Sequence, residues 1–256
     1  MKKFQNITGK LAPVITIIVV LTAWFFLSDS EALPSFMLPG PGSVVKAFVK
    51  DFPALMQHSA VTLQEAGWGL LIGFIIAVVT AVLMDRFSFL NKALYPVLIV
   101  TQTIPSIALA PLLVLWFGFE MTPKIVLVVI TTFFPITVGL LGGLQSADKD
   151  AIDLFRAMGA SRWQIYRHIK FPSALGSLFS GLKIAASYSV VGAVISEWLG
   201  GFEGLGVYMT RVRKAYAFDK MFAVIVLISL ISLLLMWGIS LLEKVSQPWL
   251  RKGKTK

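Results

Sequence analysis

The residues able to do chemistry in this 256-residue chain are few and widely spaced. Within its long apolar runs, Lys183 is the one cation, and Glu65 and Glu197 stand at run edges. An ionisable group at membrane depth is costly and rarely idle. His58 and His168 fall in separate loops, which leaves no histidine pair for a metal or a proton relay. No two carboxylates share a run, and Glu65 reads as interfacial. A glycine-rich phosphate loop ending in Lys and Ser or Thr is missing, so the chain has no means of its own to bind and hydrolyse ATP. Cysteine is absent, which excludes disulfides, thiolate metal sites and cysteine nucleophiles. No catalytic residue, metal or cofactor is expected.

What remains is polar chemistry without catalysis. Lys183 either snorkels to an interface, lines a translocation path, or pairs with a carboxylate such as Glu65. The run Thr101-Gln102-Thr103-Ile104-Pro105-Ser106 sets hydrogen-bonding side chains beside a proline that removes a helical backbone bond. Such breaks are tolerated where neighbours or a wet cavity satisfy the freed carbonyl. Thr101, Gln102, Thr103, Pro105 and Ser106 therefore fit either a pathway lining or a kink in a packed helix. Glu197 opens a glycine-rich stretch through Gly200, Gly201, Gly204 and Gly206 to Met209. That stretch reads as a compact outer loop facing the pathway, with Glu197 at its base. Gly204-x-Gly206 is no nucleotide fingerprint, because no strand-turn-helix pattern surrounds it.

The elements that must position these residues are membrane helices. The chain is 57% hydrophobic and 14% charged, where a soluble domain carries about a quarter charged residues. About 20 apolar residues cross a bilayer as a helix, and the ten-residue alternation of a barrel strand is absent. Six spans are expected: 11–27, 66–84, one within 93–119, 125–144, 174–196 and 221–242. The first could pass for a signal peptide but lacks a clean small-x-small cleavage site, so it is kept as an anchor. Pro135, Gly139, Gly142 and Gly143 would let span four pack closely. In the loop of 28–65, Ser43 is placed as the cap of a short helix from Val44 to about Leu55.

Six spans put both termini on one side. The tail of residues 1–10, the loops 85–92 and 145–173, and the basic tail 243–256 carry fifteen Lys and Arg, against seven on the other side. That bias places both termini in the cytoplasm. The net charge of +10 is spent on topology, so no nucleic-acid partner is expected. Arg211, Arg213 and Lys214 run against the bias and either line the outer mouth, dock a protein, or form a solvated face.

The segment 148–172 is then a cytoplasmic, basic, amphipathic island. Helix-forming residues from Lys149 to Met158 precede Gly159, Ser161 caps a second helix from Arg162, and Pro172 ends it or starts the next span. Trp163, Tyr166 and Ile169 fall on one face. A basic helix resting on membrane lipid accounts for much of this, but not for the small-residue turn Gly159-Ala160-Ser161, which suits insertion into a cleft on a soluble partner.

Gly159, Ile169 and Pro172 stand at the spacing of Glu-Ala-Ala-x3-Gly-x9-Ile-x-Leu-Pro, so the island resembles the coupling motif of ABC importer permeases. Asp153, Leu154 and Phe155 depart from its Glu-Ala-Ala start, and Phe171 replaces Leu. Leu38-Pro39-Gly40-Pro41, Ile104-Pro105-Ser106, Trp116-Phe117-Gly118, Phe133-Phe134-Pro135, Gly181-Leu182-Lys183 and Gly204-Leu205-Gly206 resemble the nitrate/sulfonate/taurine branch, which includes transporters of thiamine pyrimidine precursors. Lys183 stands where that branch usually has Arg. The resemblance implies an all-α permease of six transmembrane helices with a cytoplasmic coupling helix. It also implies a second permease copy, a cytoplasmic ATP-binding subunit and an extracytoplasmic substrate-binding protein. Asp153, Arg156, Gly159, Ala160, Ser161, Arg162, Ile169 and Pro172 would then seat on the ATPase, with Gly159 at the turn. The alternatives are a membrane-embedded enzyme, which needs converging polar groups, or a scaffold with a passive dock.

Overall fold

A computed structural model describes residues 2–30 and 37–247, with side chains from Leu11 onward. The first helices are α1 (Lys2–Asp29), α2 (Pro41–Lys50) and α3 (Phe52–Arg86). Next come α4 (Ser88–Thr103), α5 (Ser106–Phe117) and α6 (Met121–Gln145), then α7 (Lys149–Ala157) and α8 (Arg162–Ile165). A π turn at Tyr166–Lys170 leads into α9 (Phe171–Gly200), followed by α10 (Leu205–Lys214) and α11 (Phe218–Ser246). No strand occurs among the described residues.

Five helices are long and apolar enough to cross a membrane, and the pair α4–α5 makes a sixth span only if counted together. The expected third span is broken: α4 and α5 meet at 97°. Pro105 is the cause. It removes one backbone donor and biases Ile104 away from the helical region, and Ile104 takes an extended ψ of 119°.

The core lies where α6 packs between α3 and α9. Close approach of α6 to α9 rests on missing side chains. A Cβ on Gly139 would lie 2.8 Å from the Ser177 carbonyl oxygen, and one on Gly143 would lie 2.7 Å from Ala174 Cα. Small residues are the common device for such contacts in lipid, where no hydrophobic force drives helices together. Gly142, grouped with these in the sequence reading, faces open space instead.

Other expectations shift. Helix α3 begins at Phe52, so residues 52–65, His58 included, are helical and not loop. The short helix of the 28–65 segment is α2, and its N-cap is Gly40 rather than Ser43. Ser43 lies inside it and returns its hydroxyl to the Gly40 carbonyl at 2.7 Å. Helix α1 continues back to Lys2, so residues 2–10 are helical. Its spanning part buries none of its apolar window, and it touches the bundle through Trp24, which stacks on Phe222 and donates to the Pro39 carbonyl at 3.1 Å. Of the basic C-terminal tail, residues 248–256 lie outside the described residues.

Candidate functional sites

The elbow between α7 and α8 is built by local hydrogen bonds. Asp148 caps α7 by accepting from the Asp150 amide at 2.9 Å. At the other end the Ala160 amide reaches the Phe155 carbonyl at 2.9 Å and the Gly159 amide reaches Arg156 at 3.0 Å. These two bonds are a Schellman closure, which requires a left-handed residue after the cap. Gly159 supplies it with φ of 79°. Ser161 then opens α8 with a full capping box: its hydroxyl accepts from the Gln164 amide at 3.3 Å, and Gln164 Oε1 accepts from the Ser161 amide at 2.7 Å. A cap of this kind contributes about 1 kcal/mol. Inside the elbow, Ala147, Ile152, Ile165 and Ile169 form a small core with Phe155 and Ala160 against it.

Pro172 is the second residue of α9, so it starts the next span rather than ending a free helix. Residues 162–200 run as one long helical span, and the widened π turn just before the proline takes up its missing donor and its ring. Lys170, in that turn, holds both carboxylate oxygens of Asp85 at 2.8 Å, which ties the elbow to the end of α3. The π turn also changes the face. Trp163 is 69% exposed while Ile165 and Ile169 are buried, so Trp163 does not share the inner face with Ile169. The outer face of the elbow presents Leu154, Met158 and Trp163, with Arg162 exposed beside them and Asp153 paired to Arg156 at 2.9 Å.

The break between α4 and α5 borders a cavity of about 290 Å³ lined by Thr101, Gln102, Pro105, Ser106, Thr131 and Tyr188, among others. A second, of about 520 Å³, runs along the glycine-rich faces of α6 and α9 and shares Gln102 and Tyr188 in its wall. Thr103 lies outside both, returning its hydroxyl to the Val100 carbonyl at 2.8 Å. Lys183 also lines neither, because it pairs with Glu243 of α11 at 2.5 Å. Tyr188 belongs to no motif of the sequence, and its only sequence signal is a tyrosine among Ala185, Ala186, Ser187 and Ser189 in an apolar span.

At the opposite end of the bundle from the elbow, polar side chains converge. Lys124, placed by the charge count in an outer loop, is buried in α6 and meets Glu65 of α3 at 2.6 Å. Glu65 is 1% exposed and lies inside the bundle. Glu197 accepts from the Thr62 hydroxyl at 2.7 Å and from the Gly206 amide at 2.5 Å. The glycines at 204 and 206 leave the room this needs: a Cβ on Gly206 would lie 2.9 Å from Glu197 Cβ. No group of three or more His, Cys, Asp and Glu able to hold a metal occurs among the described residues.

The chain matches the family model of the binding-protein-dependent transport system inner membrane component over residues 69–245. It is 35% identical to a probable ABC transporter permease protein of Haemophilus influenzae, across 90% of this chain and 94% of that one. It is also 35% identical to the formylaminopyrimidine transport permease protein ThiX of Halalkalibacterium halodurans, across 94% of this chain and 97% of that one. A crystal structure of an amino acid ABC transporter with histidines shares the fold at a TM-score of 0.62 and 16% identity, covering 79% of this chain and 97% of that one. With that model spanning more than half its length and such relatives along nearly all of it, this helical chain belongs to the family of binding-protein-dependent transport system inner membrane components.

Proposed function

We propose that the chain is the permease of an ATP-driven importer whose solute is a pyrimidine precursor of thiamine, delivered by a substrate-binding protein. The coarser part follows from the family: this is a multi-pass permease subunit of an ABC importer for small solutes in the cell membrane, and no enzyme. The choice of solute is supported by the 35% identity to the ThiX permease along 94% of the chain. A sulfonate, taurine or nitrate solute is the second reading, supported by 27% identity to the taurine transport system permease protein TauC of Escherichia coli along 91% of the chain. A thermal-shift screen of the cognate binding protein decides between them. Stabilisation by pyrimidines and not by sulfonates is expected, and the reverse overturns the first choice.

The observation that carries the mechanism is the exposed, locally stapled elbow at 153–163. Its turn is rigid, its outer face is apolar, and its inner face is tied to α3 through Lys170 and Asp85. In this reading Gly159, Ala160 and Ser161 seat in a groove on a cytoplasmic ATP-binding subunit, flanked by Asp153, Arg156 and Arg162, while Ile169 and Pro172 carry the motion into α9. ATP must favour one arrangement of the subunits over the other to shift the spans. Two permease copies would face each other across the cavities that share Gln102 and Tyr188, with Thr101, Pro105 and Ser106 on the pathway. Both termini and the elbow lie in the cytoplasm.

The test is Gly159→Trp in the complete transporter reconstituted into vesicles. Basal ATP hydrolysis should persist while solute uptake per ATP falls on the order of tenfold, the range of a coupling free energy of one to two kcal/mol. Unchanged coupling would sink the docking assignment.

A further inference from the structure

Three buried ionisable groups meet between α3, α6 and α9: Glu65 and Glu197, each 1% exposed, and Lys124, 5% exposed. The ammonium of Lys124 reaches Glu65 Oε1 at 2.6 Å. Both oxygens of Glu197 already accept, Oε1 from the Thr62 hydroxyl and Oε2 from the Gly206 amide. Thr62 and Glu65 stand one helical turn apart on α3 and both are buried, so the Thr62 bond brings the Glu197 carboxyl to the side of α3 that carries Glu65, yet Glu65 Oε2 has no donor.

Charge and hydrogen bonding fail together if both carboxyls are ionised. Two carboxylates against one ammonium leave an uncompensated charge in the apolar interior, which is strongly unfavourable. An ionised carboxylate only accepts, so two of them cannot bond to each other. His58 lies one helical turn before Thr62 on α3. It adds no positive charge, because its Nδ1 accepts from the Gly204 amide at 3.0 Å. Arg211 of α10 and Glu203 before it act on His58 with opposite signs.

We propose that the permease binds one proton between Glu65 and Glu197, carried on Glu65 Oε2 and donated to the Glu197 carboxylate, so that the pair and Lys124 form a neutral buried triad. The choice of Glu65 as carrier follows from the partners of Glu197. The first amides of α10 are orphan donors of a helix N-terminus. Gly204 donates to His58, Leu205 to Thr62 Oγ1 at 2.9 Å, and Gly206 to Glu197. A carboxylate at that end is favoured by the helix dipole, so Glu197 keeps the charge and Glu65 keeps the proton. The bound proton thereby keeps a carboxylate available to fasten α10 to α3 and α9. This inference does not depend on which solute is carried.

Infrared spectroscopy of the full-length protein in a lipid bilayer tests it. The wild type should show a protonated-carboxyl C=O band at pH 7, well above the ordinary glutamate pKa of about 4.3, and the band should shift in D2O. Glu65→Gln and Glu197→Gln should each abolish it, since either leaves one carboxylate matched to one ammonium. Lys124→Met should strengthen it, because the remaining charge then draws a second proton. Glu65→Gln, whose amide donates as the acid does, should keep slow hydrogen exchange at the Gly206 amide, whereas Glu65→Ala should lose it. A wild type without the band at pH 7, or a band unchanged in both glutamine variants, overturns the proposal. If a variant fails to fold, the wild-type spectrum at pH 7 decides alone.

Discussion

Asp51, in the single-residue link between α2 and α3, ties four helices together. It takes Lys220 of α11 at 2.7 Å and the hydroxyl of Tyr208 of α10 on the same carboxylate oxygen. The hydrogen bond from Lys220, then that from Tyr208, holds the Asp51 carboxyl below its ordinary value. Burial, reinforced by Asp51, pushes the Tyr208 hydroxyl up. A depressed carboxylate pKa contributes stability that is fully present above the unfolded value of about 3.9 and is lost as pH falls through the folded one. Asp51→Asn should therefore lower the melting temperature by a constant amount between roughly pH 5 and 8, and the gap to wild type should close only below about pH 4. A gap that changes near neutrality would point to another titrating group. This junction is not visible as a motif, since Asp51 and Lys220 are ordinary loop-edge charges in the sequence. The same holds for Lys124 and Glu65, and only their burial distinguishes them from topology-setting charge.

Helix ends show how far local chemistry reaches. The elbow between α7 and α8 was legible because its signals lie within a few residues: glycine at the turn, then Ser161 and Gln164 as a capping box. A second Schellman closure ends α10, where the Ala217 amide reaches Val212 at 3.0 Å and the Tyr216 amide reaches Arg213 at 3.1 Å. Here the left-handed position is Tyr216, with φ of 55°. A side chain in that region costs about 1–2 kcal/mol. The Tyr216 ring is 77% exposed and stacks edge-on on Phe218 at 6.3 Å. Tyr216→Gly should stabilise the protein by about 0.5 kcal/mol, after the added chain entropy of glycine is subtracted, seen as a raised melting temperature. A lowered one would show that the ring contact outweighs the strain. The π turn before Pro172 had no such local signature. The proline marked an interruption, but whether a helix stops or widens depends on what holds its far side, here Asp85 against Lys170.

At the scale of the whole chain, orientation rests on fifteen basic residues against seven in the sequence reading. Burial of Lys124 removes one from the minority and leaves the bias standing. The absence of cysteine makes a direct check simple. Lys149→Cys at the start of α7 and Phe202→Cys in the α9–α10 connection are both at exposed positions. In intact cells a membrane-impermeant maleimide should label Phe202→Cys and spare Lys149→Cys until the membrane is opened. The opposite pattern would invert the topology and place the elbow outside.

By itself the sequence determined the helical membrane class, the apolar runs, and the elbow with its turn and cap. Each of these depends on composition or on residues a few positions apart, where backbone geometry leaves little choice. Tertiary structure alone decided that the third span breaks at 97° and that Gln102 and Tyr188 share two cavity walls. It also decided that Lys183 belongs to Glu243 and Lys124 to Glu65, and that Glu197 anchors α10. The physical reason is common to them all. A polar side chain in a dry interior must find its partner wherever the packing of helices brings one, and that partner lies anywhere along the chain.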